Sequence, residues 1–126
     1  MKRIILDTNF LLMPIQSGID IYTKLEEMLE DVAARPCAPK AVFDELKGMA
    51  GKKDKKARLA KASLELAIKR KVEEVPSGKG SPDSEIVALA QPGDFVCTND
   101  NGIAKKLREK NVTTIGARNN GTVYRR

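Results

Sequence analysis

The 126-residue chain has no histidine, no tryptophan, five aromatic residues and two cysteines. Without histidine there is no Ser-His-Asp or Cys-His nucleophile, and no imidazole to run acid–base cleavage of RNA. Cys37 and Cys97 form no CxxC pair and have no histidine to cluster with, so a zinc site is excluded. Each sits in an apolar, strand-like context and reads as a buried free thiol. No apolar run approaches the roughly 20 residues that span a bilayer. The "IIL" of residues 4–6 is too short for a signal-peptide core and no cleavage site follows it. The expectation is one cytoplasmic domain over residues 1–126, with no membrane association. An enzyme made from this inventory must work with carboxylates, lysines, a metal or a cofactor.

What the chain does have is charge. Asp, Glu, Lys and Arg make up 32% of it, and the net charge is +6. A basic balance is compatible with a polyanionic partner, although many basic proteins bind none.

Apolar patterning alternates between two periods. Strands are expected at "KRIIL" (2–6), "RPCAP" (35–39), "KVEEV" (71–75), "DFVCT" (94–98) and "NVTTI" (111–115). Helical spacing runs through 19–33, 40–50, 54–71, 83–90 and 100–109. Ala57, Ala60, Leu64, Ala67 and Ile68 form the apolar stripe of the longest helix, and Gly51 stops the one before it. "PSGKGSP" (76–82) is a loop on composition, and residues 116–126 read as a polar tail. This is an α/β pattern around a mainly parallel, five-stranded sheet. Ligands of such sheets gather beyond the C-terminal ends of the strands.

Four acids stand out at those ends. Asp7 closes the apolar run "IIL" and is followed by Thr8 and Asn9 before apolar residues resume. Glu45 shares the spacing i, i+3, i+4, i+7 with Val42, Leu46 and Met49, and so is expected on the core-facing stripe. Asp83 precedes Ile86, Val87 and Ala90 at the same spacing, and Asp100 precedes Ile103, Ala104 and Leu107. Converging carboxylates repel one another and resist burial, and the common remedies are basic partners or a divalent cation. Hard oxygen donors select Mg²⁺ or Mn²⁺. A plainer account competes for each acid. Asp7, Asp83 and Asp100 all suit helix starts, and "SPDSE" is a good one, with Ser81 as cap and Pro82 in the first turn. Glu45 is mid-helix, where its plainer role is an ion pair with a lysine. The pattern alone leaves both accounts open.

The stretches "ILDTNF", "VFDEL", "SPDSEIVALA" and "FVCTNDNGIAKKL" resemble, in order and spacing, the four acidic motifs of the PIN-domain nucleases. The resemblance covers essentially the whole chain. "LDTNFLLMPIQSGID", "ARPCAPKAVFDEL" and "KGSPD" are more similar to the small-subunit rRNA-processing PIN endonucleases and their archaeal relatives. VapC toxins share the acids but resemble the longer stretches less. The resemblance implies a three-layer α/β/α sandwich and metal-dependent endoribonuclease activity with one or two Mg²⁺ or Mn²⁺ ions. Carried over by position, Asp7, Glu45, Asp83 and Asp100 are the metal-binding, catalytic acids. Thr8, Asn9, Thr98 and Asn99 are neutral groups supporting them. The rRNA-processing branch commonly shows paired aspartates at the third motif. Here the second place is Ser84, and Glu85 after it is a candidate outer ligand.

RNA is the implied partner, an rRNA precursor in particular. Lys52, Lys53, Lys55, Lys56, Arg58, Lys105, Lys106, Arg125 and Arg126 are candidate phosphate contacts, against the bland account of a solvated helix face. The scarcity of aromatics makes base stacking a minor contributor. The resemblance leaves open a homodimer, ribosome-assembly proteins or an antitoxin as further partners. Two rival functions stand beside the first: a toxin ribonuclease, and a weakly catalytic RNA- or protein-binding module in ribosome assembly. "SGKGS" is not a phosphate-binding P-loop, because Glu73 stands where its first glycine belongs and Gly80 follows Lys79.

Overall fold

The structure, a computed structural model, describes residues 2–126. Six strands and six helices follow one another as β1 (Lys2–Leu6), α1 (Thr8–Ser17), α2 (Ile21–Met28), β2 (Ala34–Pro39), α3 (Lys40–Ala50), α4 (Lys55–Lys69), β3 (Glu73–Val75), α5 (Pro82–Leu89), β4 (Phe95–Cys97), α6 (Asn101–Glu109), β5 (Thr113–Ala117) and β6 (Val123–Arg125). They form one sheet in the order β3-β2-β1-β4-β5-β6. All pairings are parallel except β5–β6. The expected five strands therefore become six. The supposed polar tail supplies the end of β5 and all of β6, which pairs Val123, Tyr124 and Arg125 with Ala117, Gly116 and Ile115. Composition hid this strand because an edge strand needs little apolar surface. The Tyr124 ring lies against Gly116, where an added Cβ would meet it at 2.8 Å.

β1 is central, which explains its unbroken apolar run. Ile4, Ile5 and Leu6 are buried, covered on both faces. From β1 the chain adds β2 and then β3 on one side. It then returns to place β4 on the other side of β1, and adds β5 beyond it. Right-handed crossovers put the helices of the two runs on opposite faces of the sheet. The winding reverses between β1 and β4, so the topological switch point lies there, at the C-terminal ends that carry Asp7 and Thr98. The core is continuous from Phe10 and Leu11 of α1 through the central strands to Ile86, Leu107 and Ile115.

Local signals set most boundaries. Asp7, Asp20, Asp54, Ser81 and Asp100 each accept a backbone N–H from the first turn of the helix that follows. α1 ends at Gly18, whose left-handed φ of 68° favours glycine. Two expectations shift. The periodic stretch 19–33 is helical only to Met28, and Leu29 and Val32 pack on the core from a turn. On α4, Ser63 is buried and Ile68 is 68% exposed, because the packed face runs through Ala57, Ala60, Ser63 and Ala67 and so is rotated from the expected stripe.

α3 and α4 form a hairpin outside the sheet. α4 delivers the chain to the start of β3, at the N-terminal edge.

Candidate functional site

Asp7 occupies the switch point. Its backbone N–H extends the β1–β4 ladder by donating to the Cys97 carbonyl at 3.2 Å. Its side chain caps α1, with Oδ1 accepting from the Phe10 N–H at 2.8 Å. The residue is 6% exposed. Burial pushes its carboxyl up to about 6, and the charges of Asp83 and Asp100 push the same way. The Thr98 hydroxyl and the Phe10 N–H pull it back only in part. No cation pairs with Asp7 among the described residues.

Thr98 organises the other side of the switch point. It is fully buried. Its N–H donates to the Ile115 carbonyl at 2.9 Å, and its hydroxyl accepts from the Asp100 N–H at 3.1 Å. Asp100 caps α6 through Oδ1, which accepts from Ile103 at 2.9 Å. The plain capping account and the site account thus hold together for Asp7 and Asp100. Each commits one carboxylate oxygen to a helix start. Asp83 is not a cap, since Ser81 takes that place with Pro82 next to it.

Asp83 and Asp100 are exposed, as is Glu45. The expectation that Glu45, Asp83 and Asp100 lie in register with core-facing stripes is corrected, since all three are exposed. Val42 and Leu46 of α3, and Ile86 and Ala90 after Asp83, are buried. Glu45 lies at the flank of its stripe, and Asp83 stands in a first turn beyond the sheet edge. Glu45 borders a cleft of about 630 Å³ with Lys40, Asp44, Ser77, Lys79 and Pro82. Asp83 lines a smaller one of about 220 Å³ with Ser81, Ser84, Ile103 and Lys106.

The neutral groups divide. Thr8 Oγ1 is buried and has no hydrogen-bond partner among the described residues. Asn9 is exposed on α1. Asn99 is drawn away from the acids: its Oδ1 accepts from the Ala117 N–H at 2.8 Å and ties the site segment to β5. Glu85 does not join the acids either, because its carboxylate accepts the Gly78 N–H.

As a donor set these residues fit a divalent cation. An all-oxygen group surrounds a carboxylate that lacks a counter-charge, beside a hydroxyl that lacks a partner. Among the described residues, no three ligating side chains are already drawn together around a common point. Asp83 and Asp100 are the exposed members and have room to move.

The basic residues fall in three places. Lys52, Lys53, Lys55, Lys56 and Arg58 are exposed around the 51–54 turn, and all but Lys56 border a shallow bowl of about 500 Å³. Lys105 and Lys106 are exposed on α6, Lys106 beside Asp83. Arg125 is exposed with its guanidinium 5.7 Å from the Phe95 ring centre. Arg126 is different. Its side chain donates to the Thr98 carbonyl at 3.1 Å and to the Asn101 side chain, clamping the turn that carries Asp100. Nothing in the sequence near Arg126 signals this contact, because it depends on β6 folding back along β5.

A family model described as a PIN like domain matches residues 4–120. A solved structure described as the PIN domain endonuclease Utp24 is 22% identical to this chain. It superposes with a TM-score of 0.76, covering 96% of this chain and 88% of that one. No curated protein matches the sequence.

Proposed function

Because the chain belongs to the PIN-like domain family, we propose that it is a divalent-metal-dependent endoribonuclease that hydrolyses phosphodiesters of an rRNA precursor. One observation carries this: Asp7 is buried at the switch point without a cation, and Asp83 and Asp100 load it further with negative charge. A fold keeps such a group at a cost unless something neutralises it. The similarity to a structure described as an endonuclease supports the same reading.

Asp7, Asp83 and Asp100 would hold the ion, which when bound supplies charge neutralisation and an acidified water. The Thr98 hydroxyl accepts the Asp100 N–H and so holds the Asp100 turn, and the same hydroxyl pulls the Asp7 carboxyl down in part. Thr8 adds a neutral oxygen beside the acid. Lys106 lines the same cleft as Asp83, and it and the exposed lysines of the 51–58 segment would neutralise substrate phosphates. Hydrolysis by water leaves a 5′-phosphate and a 3′-hydroxyl, and it requires no imidazole.

The test is cleavage of precursor small-subunit rRNA in Mn²⁺, wild type against Asp7→Asn, with the product ends determined. Loss of cleavage in the variant and a 5′-phosphate end support the proposal. Equal cleavage by both proteins overturns it.

A second reading is favoured by one feature, the separate position of Glu45 in the larger cleft. An RNA-binding module without efficient chemistry would tolerate that separation. Calorimetric Mn²⁺ titration with and without Asp83→Asn distinguishes the two: the module shows no ion binding that depends on Asp83.

A further inference from the structure

The 76–82 loop is not a passive connection. At one end Ser77 Oγ accepts the Ala41 N–H at 3.1 Å, fastening the loop to the first turn of α3. At the other end Glu85 accepts the Gly78 N–H, fastening it to the first turn of α5. The two glycines make this possible. A Cβ on Gly80 would lie 2.5 Å from Ser84 Oγ and 2.7 Å from Glu85 Oε2, and one on Gly78 would lie 3.0 Å from Glu85 Oε1. The backbone therefore wraps closely around one carboxylate. Between the glycines Lys79 is exposed, and no acid pairs with it among the described residues. Lys40, across the same cleft, is already paired with Asp44 at 2.6 Å. Lys79 is thus the cation of this cleft that remains available. Pro82 lines this cleft, and its neighbours Ser81 and Asp83 line the smaller one with Lys106, so the start of α5 carries Asp83 between the cleft of Lys79 and that of Lys106.

We propose that Lys79 binds a backbone phosphate of the RNA on the Glu45 side of the acids, and that Glu85 is the positioning residue that presents it. The proposal rests on the ribonuclease reading above. It assigns Glu85 to substrate placement through the loop. A strand crossing the start of α5 is then held by cations on both sides of the acids.

The charge of Glu85 makes a discriminating test. Removing an acid from a protein that binds a polyanion tightens binding if only Coulomb's law operates. Removing the carboxylate that positions Lys79 weakens it. Binding of a fluorescein-labelled single-stranded RNA is followed by anisotropy in EDTA across a salt series. Lys79→Ala should weaken binding about fivefold at low salt and flatten the log–log salt slope by about 0.7, the value for one phosphate contact on a single strand. Glu85→Ala and Gly80→Ala should also weaken binding, and Glu85→Gln, which keeps an acceptor oxygen, should recover most of it. In cleavage assays the same variants should raise KM and leave kcat nearly unchanged. Unchanged affinity and slope in Lys79→Ala, or tighter binding by Glu85→Ala, would overturn the proposal. Wild-type protein that neither binds nor cuts RNA would instead refute the ribonuclease reading itself. Should Glu85→Ala fail to fold, Lys79→Ala still decides the question, since Lys79 is exposed and makes no ion pair among the described residues.

Discussion

Asp7 and Asp94 sit at opposite edges of the same sheet with nearly equal exposure, 6% and 7%. Their carboxyls shift in opposite directions. Burial penalises the charge of both. Asp94 overcomes it: Arg3 donates from its backbone N–H, Nε and Nη2, at 3.2, 3.2 and 2.8 Å, and Gln91 donates its N–H at 3.0 Å. These bonds hold the Asp94 carboxyl below its ordinary range. Asp7 has one backbone N–H, a hydroxyl and two like charges nearby, and it rises to about 6. Asp7 is also the more deeply set of the two, so depth and a missing cation both raise it, whereas Asp94 lies nearer the surface beside Arg3. An acid at the N-terminal edge that comes with its own arginine is part of the scaffold, whereas an acid at the switch point without a cation is what the proposed ion site requires.

The largest effect expected from this difference comes from neutralising each acid in turn. Asp7→Asn should lower RNA cleavage at least a hundredfold, about 3 kcal/mol or more in the barrier. The same change should raise the urea midpoint of the metal-free protein at neutral pH, because it removes a charge the fold holds at a cost. Asp94→Asn should do the reverse, lowering the midpoint and leaving cleavage by the folded fraction within about twofold. An Asp7→Asn protein that is less stable than wild type in EDTA would abolish the distinction.

Next in size is the arginine. Arg3→Met removes the partner of Asp94 and also the 2.9 Å bond from Nη2 to the Leu89 carbonyl. The arginine side chain is 30% exposed, so the loss falls at the lower end of the range for a broken buried pair, about 3 kcal/mol by urea denaturation. Leu89 and Asp94 are both left with an unmet hydrogen bond. A loss below about 1 kcal/mol would place Arg3–Asp94 among ordinary surface pairs.

The pH dependence is smaller, and the two acids carry opposite signs. A raised carboxyl binds its proton more tightly in the native state than in the unfolded one. The Asp7 contribution is therefore fully present below about pH 4 and is lost as pH rises through about 6. Between pH 4.5 and 7 this amounts to about 2 kcal/mol. Asp94, held low, contributes above the ordinary aspartate range and loses that contribution as pH falls through its native value. Denaturation in EDTA at pH 4.5 and 7, wild type against Asp7→Asn, isolates the first term as the difference between the two slopes. Saturating Mn²⁺ at pH 7 should return part of the lost stability to the wild type and little to Asp83→Asn. Equal Mn²⁺ responses in the two proteins would remove Asp83 from the ion site.

How much of this was legible in the sequence depended on the reach of each interaction. Helix caps are signalled within three residues, so Asp7, Ser81 and Asp100 could be placed at helix starts from local pattern. The α/β alternation was legible because strand and helix periods differ over short windows. The orientation of Glu45 was not, because a stripe read at i, i+3, i+4, i+7 does not tell its centre from its flank. The sixth strand was missed because "TVYRR" lacks an apolar run and gains its structure from β5. The Arg3–Asp94 pair spans 91 positions in the chain, and no local signal announces it. Glu85 was the most misleading position. Its neighbourhood is an acidic motif, yet its carboxylate faces a loop seven residues upstream.

The smallest effect concerns Arg126, which the charge pattern assigned to RNA and the fold assigns to the site. Its backbone N–H donates to the Thr114 carbonyl at 2.8 Å, and its side chain holds the Thr98 carbonyl and Asn101. Asp100 lies between those two residues, so the arginine restrains the turn from which that acid projects. An arginine that acts by position alone should change kcat and leave RNA affinity alone. Arg126→Ala is thus expected to lower kcat by less than about tenfold, with the dissociation constant for RNA and its salt slope close to wild type. Arg126→Lys should recover little, because a single ammonium cannot reproduce the fork that reaches two acceptors. A phosphate ligand would give the opposite result: weaker binding, a flatter salt slope by about 0.7, and recovery by lysine. The split between kcat and affinity therefore decides whether β6 belongs to the scaffold of the acids or to the surface that meets RNA.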